Sequence, residues 1–250
     1  SFFLYSTMFS SALVIVLPIA MFLRKINIGL KSNYYTIVIV IMILALLATT
    51  GRVAILSFLI SYIIFRFIRI KHLIIKALLV ILVVFSSAIL LYWLETSGVL
   101  YYILDLVIYS RGEGSANTRM SIYIQTFSAF LERPFFGWGT ERDIKGLAYP
   151  LGSHSYYLGI LYKQGVFGFL VFVSMIIVIW KKLKGYSKHN NKLSEFLSYG
   201  QLVLLVYFFN SFTDVLDLDA TTIMFLWLIL SLLIATNRML NIDIRKQHDA

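Results

Sequence analysis

The side chains best suited to chemistry are Arg52 at a short turn between two apolar segments, Arg119 in a long loop, and His154 at the end of that loop. An arginine is always cationic, and its planar fork of N–H donors suits the oxygens of a phosphate group. A histidine has an unperturbed pKa of about 6.5, so it can accept a proton from a hydroxyl near neutral pH. These residue types could bind an anionic group and activate an acceptor hydroxyl.

Each of the three also has an ordinary structural interpretation. Arg52 could be a charge that snorkels from a helix end, although an arginine at a two-residue turn on the outer side of a membrane is unusual. Arg119 could simply lie on the polar face of a helix. His154 could be an ordinary histidine at a membrane interface.

Other charged residues offer weaker candidates for binding sites. The long loop contains three more arginines that could bind phosphate: Arg111, Arg133 and Arg142. Lys163 lies inside an apolar segment, where an ionisable group is a functional hypothesis by default. A short acidic cluster could hold a metal–diphosphate complex or form a polar turn: Asp214, Asp217 and Asp219. The chain has no cysteine, so thiolate metal sites are excluded, and we expect neither a metal ion nor a cofactor.

The composition indicates that membrane helices position these residues. Of the 250 residues, 60% are hydrophobic and 14% are charged, whereas a soluble domain is nearer half apolar and about a quarter charged. The apolar residues form long unbroken runs, for which the bilayer is the natural solvent. The net charge of +10 comes from short basic clusters between these runs, which is typical of cytoplasmic loops and not of a nucleic-acid surface. We therefore expect no nucleic-acid partner.

A hydrocarbon core about 30 Å thick needs roughly 20 apolar residues per helix. On that criterion the sequence predicts an all-α, polytopic transmembrane bundle with about seven spans, at residues 2–23, 34–50, 53–65, 73–93, 155–180, 196–211 and 221–236. The predicted organisation has three parts: transmembrane helices 1–4 in residues 1–94, an extracytoplasmic catalytic loop in 95–154, and transmembrane helices 5–7 with a cytoplasmic tail in 155–250.

Lysines and arginines predict the orientation, because cytoplasmic loops carry the excess of positive charge. If the spans alternate, one side receives the basic clusters within 24–31, 66–76, 181–192 and 238–246, and this side is predicted to be cytoplasmic. The first residue then lies outside. Since the chain begins at Ser1 and enters an apolar run at once, we expect it to lack earlier membrane helices.

The 95–154 loop is long enough to have a function of its own. Residues 99–109 are apolar but too short to span, which predicts an interfacial helix. Residues 117–132 predict an amphipathic helix that Arg133-Pro134 ends, with one apolar face: Met120, Tyr123, Ile124, Phe127, Phe130 and Leu131. Ser153 or Ser155 could cap the next span, which puts His154 where that helix leaves the membrane.

The order of these motifs resembles the O-antigen polymerase and O-antigen ligase family, the Wzy-type polysaccharide polymerases. The matching segments are Thr50-Gly51-Arg52, Arg119 with the amphipathic helix after it, Arg133-Pro134, Gly137-Trp138-Gly139, His154-Ser155-Tyr156-Tyr157-Leu158 and Gly165-Val166-Phe167-Gly168. Ser155 stands where the family usually has an asparagine, so this chain lacks that amide. The resemblance covers about residues 48–168 and fits the carboxy-terminal part of a family member.

The resemblance implies a metal-independent membrane glycosyltransferase at the outer face of the bacterial inner membrane. Such an enzyme polymerises undecaprenyl-diphosphate-linked repeat units of O-antigen or capsular polysaccharide. By resemblance, Arg52 and Arg119 hold the diphosphate and His154 acts near the acceptor hydroxyl, while Arg111 and Arg133 are further candidates for substrate binding. The expected partners are the lipid-linked glycan, the lipid bilayer and a membrane protein that regulates chain length.

Three alternatives stay open. An O-antigen ligase would pass the finished glycan to lipid A–core or another acceptor, and it differs from a polymerase only in that acceptor. A transporter or flippase of lipid-linked sugars would favour charged residues within several spans around a cavity, whereas nearly all charges here lie at span edges and Lys163 is the exception. A membrane acyltransferase would need a histidine deep in an apolar span, and none of the predicted spans contains one.

Overall fold

The regular secondary structure in a computed structural model of the protein is helical throughout the described residues, which are 6–26, 32–49, 51–98, 114–140, 150–184, 191–212, 227 and 230–231. Seven helices have described bounds, and residues 227, 230 and 231 are also helical. The seven are α1 (Ser6–Ile26), α2 (Ser32–Ala48), α3 (Arg52–Arg69), α4 (Leu73–Thr96), α5 (Gly114–Glu132), α6 (Tyr156–Lys184) and α7 (Asn191–Asn210). The predicted all-α class is therefore confirmed.

Long apolar runs form most of these helices, and two of them are long and apolar enough to cross a membrane. These two stretches are Met8–Ile26 and Tyr156–Leu183, and shorter apolar helices cover Ser32–Ala48 and Leu73–Leu82. The total of seven spans stays a prediction, as does the three-part division of the chain. The predicted interfacial helix at 99–109 and the predicted last span at 221–236 lie outside the described residues, apart from residues 227, 230 and 231.

The bundle core is built where α1, α3 and α7 pack against one another, with α2 against α1 and α6 against α7. One buried cluster joins four helices: Val14, Leu46, Ala54, Phe65, Leu202 and Val206. The buried face of α3 carries small residues at helical spacing, namely Ala54, Ser57 and Ser61. Small side chains let neighbouring helix backbones approach closely, which is how membrane helices gain packing energy.

A carboxylate clamp joins three helices at one end of the bundle. Glu195 near the start of α7 accepts from Lys25 at 2.8 Å and from Arg69 at 2.9 Å. Lys25 is in the last turn of α1 and Arg69 is the last residue of α3, so α7 runs antiparallel to both. We call this end, with Lys25, Arg69 and Glu195, the basic end.

Backbone and hydroxyl contacts join the helices at the opposite end. Asn210 Nδ2 donates to Ser11 Oγ at 2.8 Å, and the Tyr156 N–H donates to the Ser211 carbonyl at 3.1 Å. Gly51 packs so closely on α1 that an added Cβ would collide with the Ser10 side chain. The start of α3, the start of α6 and the end of α7 therefore lie together, and we call this the loop end. The predicted alternation of the spans puts the same three helix ends on one side.

The close contact between Gly51 and Ser10 predicts a stability coupling. Gly51→Ala should lower the free energy of unfolding by about 1–3 kcal/mol, because the new methyl group overlaps the Ser10 side chain. Combining it with Ser10→Gly should recover part of that loss, even though glycine itself costs about 1 kcal/mol in a helix. Thermal unfolding of the four members of this mutant cycle in detergent measures the coupling. Strictly additive effects would contradict the contact.

Candidate active site

One face of α5 is directed at the end of the long loop. Arg119, Ile122, Tyr123 and Thr126 follow i, i+3, i+4 and i+7 spacing, so their side chains share that face. Ile122 and Thr126 are fully buried, and α5 packs against α6. The face combines one cation, one phenol and one hydroxyl beside an apolar residue that anchors the helix.

Two hydrogen bonds from this face hold the backbone around His154. The Tyr123 hydroxyl donates to the His154 carbonyl at 2.7 Å, and the Gly152 N–H donates to Thr126 Oγ1 at 3.0 Å. His154 itself has φ 63, a left-handed conformation that is uncommon outside glycine although histidine is among the residues enriched there. The neighbouring hydrogen bonds hold the backbone in this conformation.

The environment of His154 keeps its imidazole neutral. Burial lowers the pKa of His154 below its ordinary value, and the positive charge of Arg119 lowers it further. The Nε2 atom is buried, while the residue as a whole is only partly so. A neutral imidazole next to a permanent cation is the arrangement that a general base beside an anion-binding group needs.

The segment Pro134–Gly139, which we call the hook, inserts into a break in α6. Gly165 has φ 67 and ψ −168, so the helix is interrupted at that residue. The N–H groups of Trp138 and Gly139 donate to the carbonyls of Tyr162 and Lys163 at 2.9 and 2.8 Å. The carbonyl groups that end the first half of α6 therefore find their partners in the hook.

The hook also provides hydrogen-bond acceptors for the N–H groups at the start of the second half of α6. The N–H groups of Val166 and Phe167 donate to the carbonyls of Pro134 and Phe135 at 2.8 and 3.3 Å. Glycine is required on both sides of this contact, because a Cβ at Gly137 would lie 2.5 Å from the Lys163 carbonyl carbon and a Cβ at Gly165 would collide with the Phe135 backbone. The hook and the break are thus complementary at the level of the main chain.

Arg133 joins the hook to the end of α5. Its guanidinium lies 4.1 Å from the centre of the Trp138 ring, and the Trp138 indole N–H donates to the Ala129 carbonyl at 2.7 Å. A cation over an indole face is attracted by the ring quadrupole. In this structure the Arg133 guanidinium stacks on Trp138 and so connects the end of α5 to the hook. Its role in substrate binding stays a prediction.

Arg52 lies at the loop end, in the same part of the bundle as the start of α6. It is the first residue of α3 and is exposed. A continuous series of contacts leads from Gly51 through Ser10–Ser11 to Asn210–Ser211 and then to Tyr156. The structure therefore puts Arg52 and His154 at one end of the bundle and brings Arg119 within electrostatic range of His154. Five charged residues that the sequence offers as candidates lie outside the described residues: Arg111, Arg142, Asp214, Asp217 and Asp219.

Sequence reasoning missed three residues that shape this site. The sequence pattern puts Tyr123 on the apolar face of its helix and gives Thr126 no role, although both share the spacing of Arg119. Gly165 stands out in the sequence only as part of a motif, while its φ makes it the interruption of a predicted span. The Lys163 side chain runs past Gly152, where an added Cβ would lie 3.9 Å from Lys163 Cε, so this unusual lysine is close to the loop that carries His154.

No group of three or more His, Asp or Glu side chains within the described ranges is arranged to hold a metal ion. Metal independence stays a prediction.

Comparison with known families decides the identity. A protein-family model described as O-antigen ligase matches residues 37–173, which is more than half of the chain and includes Arg52, Arg119 and His154. The chain belongs to the O-antigen ligase family. Family membership makes the protein a membrane glycosyltransferase of the O-antigen ligase and polymerase type, with a lipid-linked glycan as its substrate. Neither a curated protein nor a solved structure matches the chain.

The fit between hook and break predicts a clear order among glycine variants of this family member. Gly165→Ala and Gly137→Ala should each cost roughly 2–6 kcal/mol, because alanine meets both an unfavourable φ and the backbone of the partner segment. Gly139 also has a positive φ, 77, but open space around it, so Gly139→Ala should cost only about 1–2 kcal/mol. Thermal unfolding in detergent measures the order, and equal losses at all three positions would show that docking does not depend on close contact.

The electrostatic contact between Arg119 and His154 predicts a pH shift. Replacing Arg119 with glutamine removes one of the two causes that lower the pKa of His154, so the acidic limb of the pH–rate profile should move to higher pH. Arg133→Gln is the matched control, because that arginine stacks on Trp138, and it should leave the position of the limb unchanged. Glycan transfer by purified protein gives the profile.

The same lowered pKa has a consequence for stability. Because the folded state favours the neutral imidazole, the unfolded state binds more protons as the pH falls below about 6.5. Stability of the wild type should therefore decrease below that pH, and His154→Asn should reduce the decrease.

For the pH–rate profile, an acidic limb that does not move in Arg119→Gln would contradict the electrostatic contact between Arg119 and His154.

Proposed function

We propose that the protein is a polymerase that moves a growing O-antigen or capsular chain from its undecaprenyl diphosphate onto a new lipid-linked repeat unit. One observation carries the proposal: α5, which carries Arg119, is joined to His154 by the 2.7 Å hydrogen bond from Tyr123, within the region that matches the family. Anion binding and proton acceptance are the two tasks of such a transfer, and these side chains suit them.

In the proposed step, the acceptor hydroxyl oxygen attacks the anomeric carbon of the donor glycan. The new glycosidic C–O bond forms as the bond from that carbon to the diphosphate oxygen breaks, and its electron pair leaves with the undecaprenyl diphosphate. His154 takes the proton of the acceptor hydroxyl. General-base help of this kind contributes roughly 10²–10⁴-fold to the rate.

Arginines offset the charge of the leaving group in this proposal. Arg119 is within electrostatic range of the base, and Arg52 is at the same end of the bundle, where a diphosphate could be held by two guanidinium groups. Preorganised cations stabilise the negative charge that develops on the departing diphosphate, so the proposed enzyme needs no metal ion. Arg111 and Arg133 are proposed as additional contacts to the substrate.

The proposed topology follows from the distribution of charge. Loop 95–154 and the active site lie on the extracytoplasmic side of the bacterial inner membrane, and the carboxy terminus is cytoplasmic. The basic clusters between apolar runs support this orientation. A membrane protein that regulates chain length is a proposed partner.

A ligase is the second candidate, because the matching family model is described as O-antigen ligase. The chemical step and its residues would be the same, and only the acceptor would differ. In that case the finished glycan passes to lipid A–core or to another acceptor outside the lipid-linked pool.

Surface glycan profiles test the proposal and separate the two candidates. A deletion strain is complemented with wild type, with His154→Asn and with Tyr123→Phe. Asparagine tolerates the left-handed backbone of residue 154 but cannot serve as the base, so the variant should leave single repeat units in place of a ladder. Tyr123→Phe removes the hydrogen bond to the His154 carbonyl and keeps the ring, so it should shorten the ladder and not abolish it.

The pattern of bands decides between the outcomes, provided that a tag shows equal amounts of each protein in the membrane. Absence of all attached glycan, with polymer remaining on the carrier lipid, would identify a ligase. A normal ladder with His154→Asn would refute the role of His154 in either reaction.

A further inference from the structure

A pocket of about 330 Å³ opens at the basic end of the bundle, among α1, α2, α3 and α7. Its polar lining includes Arg24, Lys25, Tyr62 and Tyr199, and its apolar lining includes Met21 and Ile39. The pocket lies at the opposite end of α1 and α3 from Ser10 and Arg52, so it is separate from the candidate active site.

Positive charge exceeds negative charge around this pocket. Arg24 and Lys25 line the pocket, and Arg66 and Arg69 are within electrostatic range of its Tyr199. Glu195 is engaged by Lys25 at 2.8 Å and by Arg69 at 2.9 Å. Among the described residues, no carboxylate pairs with Arg24, so its charge is available to an anion in the pocket.

The rest of the lining suits an anion that is attached to hydrocarbon. Met21 and Ile39 provide an apolar wall, whereas the phenols of Tyr62 and Tyr199 can donate hydrogen bonds to phosphate oxygens. The Tyr199 ring is fixed by packing against Phe22 and Phe65, with ring centres 5.8 and 5.6 Å apart. A rigid phenol beside a cation and an apolar wall matches the boundary between a headgroup and its acyl chains.

We infer that this pocket binds the phosphodiester headgroup of an anionic phospholipid. Basic pockets between membrane helices on the cytoplasmic side are suited to acidic lipid headgroups, and each nearby Lys or Arg strengthens the attraction. The bound lipid would fill the space among four helices near the clamp of Lys25, Arg69 and Glu195. The inference stands apart from the proposed transfer reaction.

The test uses the full chain in detergent, titrated with phosphatidylglycerol, phosphatidylcholine or inorganic phosphate. Native mass spectrometry counts bound lipid, and thermal unfolding reports stabilisation. Arg24→Gln should weaken phosphatidylglycerol binding about fivefold, since Arg24 lines the pocket without supporting the Glu195 clamp. Lys181→Gln is the control, because Lys181 is exposed at the last turns of α6 and does not line the pocket.

Tyr199→Phe gives an independent check, because it removes the phenolic hydroxyl and keeps the ring that packs on Phe22 and Phe65. It should also weaken binding of phosphatidylglycerol without lowering the melting temperature of the lipid-free protein. Equal binding of phosphatidylcholine, or equal losses in Arg24→Gln and Lys181→Gln, would overturn the proposal. Stabilisation by inorganic phosphate alone to the same extent would assign the pocket to a free anion and would overturn the lipid assignment.

Discussion

The interruption of α6 at Gly165 is the constraint on which the architecture around the site depends. A helix that stops and restarts exposes backbone N–H and C=O groups, and each such group left unpaired in an apolar environment costs several kcal/mol. The hook supplies four main-chain hydrogen bonds to the break. Because Trp138 of the hook is also bonded to Ala129 and stacked under Arg133, the repair of α6 fixes the position of α5. Tyr123 and Thr126 on α5 then hold the backbone of His154.

The helices are joined by different kinds of contact at the two ends of the bundle. The basic end is joined by long side chains that meet at Glu195, which leaves room for a pocket. The loop end is joined by short side chains and backbone, with Ser11 against Asn210 and Ser10 against Gly51. Short contacts leave little freedom, so the start of α3 and the start of α6 keep a fixed relation. The proposed site, which uses Arg52 and His154, requires this precision.

Local sequence signals predicted the elements of the site, but their contacts could not be predicted. The periodicity of 117–132 and the following Arg133-Pro134 correctly gave a helix that ends at Glu132, and the serine before the next span correctly indicated a start near Tyr156. Periodicity identifies faces without saying which face contacts the fold: the buried residues are Ile122 and Thr126, whereas Met120, Ile124, Phe127 and Leu131 are exposed. The break at Gly165 was hidden because apolar residues continue on both sides of it.

The exposed apolar face of α5 has a consequence for where the chemistry takes place. Met120, Ile124, Phe127 and Leu131 are each about half exposed, and an amphipathic helix with such a face lies in the plane of a membrane interface. Arg119 and Tyr123 are on the same helix, so in the proposed enzyme the depth of α5 in the interface would set the height of the His154 imidazole above the hydrocarbon. A substrate whose diphosphate is anchored at one depth by its own lipid would meet the site at a matching level, and a change in bilayer thickness would shift both together.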